Sequence, residues 1–170
     1  NKITHKTEFG AVVTNIKSEG KLIEEMDKMS KRLHDVHKNT KDESFLIEET
    51  APLPIAELLV GILADSQFGL TLTLGSGGIN TEIFKDTVSL LLPTSAEDIE
   101  DSLKTLLIYP QMRGFRGTTK VNISKLSQEL LNVTEFFQQN REKYYSLEIN
   151  PLFLYSDNIC AIDAVFEAYN

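Results

Sequence analysis

The sequence predicts a fold of mixed class, α/β or α+β, packed as one domain or two small subdomains. Three observations predict it. Short extended runs bounded by Gly, Pro and polar residues recur along the 170 residues. Two long segments carry apolar residues at helical spacing. Hydrophobic residues make up 41% and charged residues 25%, an ordinary globular balance that excludes collagen-like, low-complexity and broadly disordered chains.

Taken in order, residues 11–16 (Ala-Val-Val-Thr-Asn-Ile) read as a short strand. Beyond Gly20, the residues Leu22, Met26, Met29, Leu33 and Val36 advance by fours and threes, which puts them on one helix face. Residues 39–43 are a polar loop, and 44–50 are strand-like before Pro52 and Pro54. Residues 56–64, 70–74, 79–84 and 88–92 are further strands, the last stopped by Pro93. Thr94 followed by Glu97 has capping-box spacing and opens a helix with Ile99, Leu103 and Leu106 on one face, closed by Pro110. Residues 111–120 are a loop rich in Gly and Arg. Asn122 is a good N-cap for a second long helix carrying Ile123, Leu126, Leu130, Val133 and Phe137. Residues 145–154 and 159–169 are two strands joined by a tight Ser-Asp-Asn turn. No internal repeat and no flexible linker interrupts this order.

Basic residues number 17 against 25 acidic, a net charge of −8. Nucleic acid needs clustered Lys or Arg on its phosphates, so it is a poor partner, while a nucleotide needs only a local pocket. The single cysteine, Cys160, cannot close an internal disulfide, and structural zinc lacks a CxxC pair. A reducing, cytoplasmic compartment is expected. Apolar runs fall far short of the roughly 20 residues that span a bilayer, and no signal-peptide pattern is present. The first residue is Asn1 rather than Met; a fragment, a processed chain or a chain missing its front is expected.

The closing hairpin carries the most chemistry. Pro151 lacks an N–H and fits a strand edge or end. A two-residue loop of Ser156 and Asp157 would set Asn150 directly opposite Asp163, with Glu148 on the same face. These are hard oxygen donors of the kind that hold Mg²⁺; a three-residue loop would flip the register, and a solvated polar stripe is the competing reading. Gly75-Ser76-Gly77-Gly78 could let a phosphate approach backbone N–H groups, or could be a plain turn. Arg113 and Arg116, around Gly114-Phe115-Arg116-Gly117, could present a guanidinium to phosphate or lie on an exposed loop. His34 and His37 share a helix at i, i+3 with no third ligand in sight, and His5 alone reads as a surface histidine. The sequons at Asn122 and Asn132 fall within a helix and read as chance.

The pieces resemble, in order, the ATP-grasp domain of NDP-forming (ADP-forming) acyl-CoA synthetases, relatives of the succinyl-CoA synthetase β-subunit. The resemblance is carried by His5-Lys6-Thr7-Glu8-Phe9-Gly10-Ala11-Val12, Leu46-Ile47-Glu48-Glu49, Glu57-Leu58-Leu59-Val60-Gly61 and Asp65-Ser66-Gln67-Phe68-Gly69. Gly75-Ser76-Gly77-Gly78-Ile79, Glu82, Gly114-Phe115-Arg116-Gly117, Glu148-Ile149-Asn150-Pro151-Leu152 and Ala161-Ile162-Asp163 complete it. It implies an α+β ATP-grasp fold with mixed sheets and helices whose N-terminal part is missing. Residues 1–50 would be the remainder of a first subdomain and 51–170 a second, with ATP between them.

The implied activity couples acid, CoA and ATP reversibly to acyl-CoA, ADP and phosphate through an acyl phosphate and a phosphohistidine. That histidine would sit in a separate CoA-binding domain or subunit. The resemblance implies Asn150 and Asp163 as Mg²⁺ ligands. It places Lys6, Glu48, Glu49, Gly75, Gly77 and Gly78 at the nucleotide, with residues 47–51 a hinge edging the adenine. Arg116 would stabilise the moving phosphoryl group, and His5 would be a relay on the phosphate path. The chain departs from the family pattern at Ala11, where glycine is common, at Leu70, where proline is common, and at Leu90, where a basic residue is common. A nucleotide-binding lysine is expected upstream of Asn1, and without it the chain alone should bind ATP weakly. The alternative implied is a non-catalytic ligand-sensing module of a synthetase-like protein fused to an acetyltransferase.

Overall fold

The computed structural model describes residues 12–36, 44–78, 81 and 84–169. The chain divides into two compact units, Asn1–Pro52 and Leu53–Asn170. Among its described residues the first holds the helix α1 (Glu19–Val36). Ser18 Oγ accepts the Lys21 N–H at its start. Lys21 and Lys28 each pair with Glu24 and Glu25 at i, i+3 and i, i+4 spacing. Leu22, Met26 and Met29 are half-buried.

The second unit is a six-stranded sheet with helices on one face. Its strands are β1 (Ala56–Asp65), β2 (Gly69–Ser76), β3 (Thr87–Leu91), β4 (Tyr144–Leu154), β5 (Ile159–Ala161) and β6 (Ala164–Ala168). They lie in the order β3-β2-β1-β4-β5, with β6 also on β4. Among the described residues every pairing is antiparallel. Between β3 and β4 come α2 (Ala96–Thr105), the short α3 (Tyr109–Met112), a 3₁₀ turn at Phe115–Gly117 and α4 (Ile123–Gln139). Alternation along β1 sends Ala56, Leu58, Val60 and Ile62 into the core, where Ile99 and Leu103 of α2 and Leu126, Leu130 and Phe137 of α4 meet them. Each such fully buried Val, Leu, Ile or Phe side chain contributes roughly 1.5–3 kcal/mol. The opposite face of the sheet carries Glu57, Leu59 and Gly61, all half-buried.

Several elements differ from the sequence reading. Of the strand expected at 11–16, residue 11 lies outside the described residues and 12–16 are irregular, as are 44–50, and Thr81 and Phe84 are helical where 79–84 reads as a strand. The capping box of α2 is Ser95 with Asp98, one residue along from Thr94 and Glu97. Pro110 does not close that helix, which ends at Thr105; it sits in the first turn of α3, where a missing N–H costs nothing. Residues 159–169 form two strands broken by a bend at 162–163. Pro151 lies on neither a sheet edge nor a strand end: β4 is an inner strand, and the proline occupies a bulge. Leu58 pairs with Leu152 and Val60 with Ile149, so Leu59 alone faces both Asn150 and Pro151. The extra residue lets Ile149 and Leu152 both enter the core. Asn122 caps α4 as expected, accepting the Lys125 N–H. Among the described residues no helix is long and apolar enough to cross a membrane.

Candidate functional site

The bulge turns Asn150 away from the core and toward the end of β2. There its Oδ1 accepts the Gly78 N–H at 2.9 Å. On its other side the closing hairpin has the two-residue turn, with the Tyr155 N–H donating to the Asn158 carbonyl. Leu152 pairs with Ala161 and Ile149 with Ala164. Asn150 and Asp163 are therefore opposite one another, and the Asn150 N–H donates to the Asp163 carbonyl at 3.1 Å. Glu148 pairs with Val165 and is exposed, as is Asp163. The backbone register thus sets an asparagine, with its amide oxygen, opposite an aspartate, with its carboxylate, where the chain bends before β6. These hard oxygens fit a divalent cation of the Mg²⁺ kind. The Gly78 N–H takes one lone pair of Asn150 Oδ1 and leaves the second. Among the described residues, no three His, Cys, Asp or Glu side chains are grouped to hold a metal; the amide is what this arrangement adds.

The glycine run is laced to its surroundings. Ser76 N–H donates to the Asp86 carbonyl at 3.1 Å and Gly77 N–H to the Glu57 carbonyl at 2.8 Å. With Gly78 on Asn150, three successive N–H groups are occupied within the fold rather than offered to phosphate. Close approach is what the glycines supply. A Cβ on Gly75 would lie 2.7 Å from the Asp86 carbonyl, and one on Gly77 would lie 2.6–2.9 Å from the Leu58 backbone. Asp86 ties the corner further: its Oδ2 accepts from Ser76 Oγ at 2.8 Å and from the Leu107 N–H at 2.9 Å.

Arg116 is exposed in the 3₁₀ turn with φ +54, between Gly114 and Gly117, both also at positive φ. Its guanidinium lies 5.2 Å over the Phe115 ring. A non-glycine residue in that region costs of order 1–3 kcal/mol and marks candidate functional positions. Glu48 and Glu49 are exposed on an irregular stretch of the first unit. His5, Lys6 and His37 lie outside the described residues. The sequence reading missed Asp86 and gave no role to Glu57. The second had a signal, a lone carboxylate at an outward position of an otherwise apolar strand; Asp86 had none, since its partners lie 10 and 21 residues away.

Comparison with known proteins matches residues 1–167 to the ATP-grasp domain family. The chain is 31% identical over 163 residues to the acetate–CoA ligase [ADP-forming] I subunit beta of Pyrococcus furiosus, spanning 96% of this chain and 69% of that protein. It is 29% identical to acetate–CoA ligase [ADP-forming] II of Archaeoglobus fulgidus, of which it spans 23%. Among solved structures it resembles the dinucleotide-forming acetyl-coenzyme A synthetase 1 of Ca. Korarchaeum cryptofilum in complex with coenzyme A and Mg-AMPPCP. That match has a TM-score of 0.83 at 28% identity and covers 99% of this chain and 72% of the other. A second structure of that synthetase, with Ca-AMPCP, matches with a TM-score of 0.87 at 29% identity.

Proposed function

Since the chain belongs to the ATP-grasp family, we propose that it is the nucleotide-binding part of an ADP-forming acyl-CoA synthetase, an acid–thiol ligase. The complete protein couples a carboxylic acid, CoA and ATP to acyl-CoA, ADP and phosphate. The observation that carries the reading is the Asn150 amide oxygen, held by Gly78 and set opposite Asp163. Relatives named as ADP-forming ligases, and a solved relative bound to Mg-AMPPCP, support it.

In this reading Asn150 and Asp163 hold Mg²⁺. The bound cation supplies neutralisation of polyphosphate charge and alignment for in-line transfer. Arg116 adds a guanidinium where charge moves during transfer. Lys6, Glu48 and Glu49 contact the nucleotide, and His5 relays on the phosphate path. Gly75, Gly77 and Gly78 shape the corner that carries Asn150. The partner is a CoA-binding domain or subunit bearing the phosphohistidine. The relatives' forms support this partner: one is a beta subunit, and in the other this chain matches 23% of the protein. A solved relative is described with a phosphohistidine segment pointing towards the nucleotide site.

The test is Asp163→Ala in the full-length protein. Acyl-CoA formation falls about 100-fold or more, and the thermal unfolding midpoint stays put because Asp163 is exposed. Normal turnover by the variant contradicts the reading.

A further inference from the structure

We propose that Gly78 is a positioning residue of the cation site, its N–H holding the Asn150 side-chain oxygen in the orientation that a divalent cation requires. The inference rests on the reading that Asn150 is a cation ligand. Of the three amides at this corner, those of Ser76 and Gly77 meet backbone oxygens, and only that of Gly78 reaches a side chain, one 72 residues away in sequence. The donor is itself fixed. Gly77 is pressed against the Leu58 backbone, Thr81 N–H donates to the Gly78 carbonyl at 3.2 Å, and Thr81 Oγ1 donates to the Ser76 carbonyl at 2.9 Å.

Position 78 also favours glycine. Its φ is +62, in the left-handed region, and a Cβ there would meet Glu57 Oε2, the movable end of that side chain. The space a side chain would fill is taken by the end of the Glu57 side chain. An asparagine amide can turn over and present its NH₂ group, which repels a cation. An N–H fixed on Oδ1 selects the face that attracts one. Partners of this kind behind a ligand are worth about 10–100-fold in metal affinity.

The experiment is a Mn²⁺ titration of the full-length protein with ADP, read by the electron paramagnetic resonance of free Mn²⁺. It uses Gly78→Ala, Asn150→Ala and the double variant. A fourth protein carries an amide-to-ester replacement at Gly78, which removes the N–H without adding an atom and covers the case in which Gly78→Ala misfolds. The concentration of Mn²⁺ for half-saturation is expected to rise about ten-fold in Gly78→Ala and in the ester. Asn150→Ala weakens binding at least as much, and Gly78→Ala adds nothing in the Asn150→Ala background. Wild-type affinity in both Gly78→Ala and the ester, or effects that multiply in the double variant, would overturn the positioning role and leave Asn150 a ligand. Wild-type affinity in Asn150→Ala would overturn the ligand reading and this inference with it.

Discussion

The two ends of the β1–β2 hairpin have similar ingredients and different fates. At the closed end, Asp65 Oδ1 accepts the N–H groups of Gln67 and Phe68 at 2.7 and 2.8 Å, and Gly69 follows with φ +80 and open space around it. At the open end, Glu57 stands where a Gly78 side chain would be, Gly78 has φ +62, and its N–H reaches Asn150. Both ends carry a carboxylate and a left-handed glycine. At Asp65 every partner is two or three residues away, so the carboxylate closes its own turn. At Gly78 the partner comes from β4, so only the finished sheet can assemble the group. A polar side chain answered locally shapes the chain; one answered across the fold can be held ready for a ligand.

The sharpest contrast is in activity. Asp163→Ala is expected to remove about 100-fold or more of acyl-CoA formation, whereas Asp65→Ala, measured in the same assay, leaves it at the wild-type level. Equal losses in both would erase the distinction between the two ends. The next effect is on stability. Gly69→Ala forces an L side chain into the left-handed region at a cost of about 1–2 kcal/mol, seen as a lower urea midpoint with cation affinity unchanged. A fall in cation affinity would show that the closed end also serves the site.

The smallest effect is at low pH. Backbone N–H groups of Phe68 and Gln67 hold the Asp65 carboxyl below its ordinary value of 3.8. A lowered folded-state value contributes stability that is present above the unfolded value and is lost as pH falls through the folded one. The urea midpoints of wild type and Asp65→Ala should therefore converge as the pH drops below about 3.8. A gap that persists unchanged into that range would mean the ionised carboxylate is not what the turn uses.

The same contrast explains what the sequence made legible. The register of the closing hairpin could be read because a two-residue turn links neighbours in sequence, and it sets Asn150 opposite Asp163. The helices α2 and α4 could be read from spacing, since each buries one face in a single core. The bulge could not be read: Pro151 argues for an edge until β1 is known to flank it with one residue against two. The glycine run suggested free N–H groups, yet their acceptors on Asp86, Glu57 and Asn150 become visible only once the strands are placed. Residues 44–50 carry the apolar run Phe45-Leu46-Ile47 and read as strand-like, but without a pairing partner among the described residues they stay irregular; a strand-like composition states a preference that a neighbouring strand must complete.

The central claim is that Asn150 and Asp163, opposite one another where β4 meets the bend before β6, hold the cation that carries the nucleotide. Its most direct test is calorimetry of ADP binding to the full-length protein with and without Mg²⁺, for wild type and Asp163→Ala. The account predicts that Mg²⁺ strengthens ADP binding in the wild type and has no such effect in the variant. The same Mg²⁺-dependent gain in both proteins would contradict it.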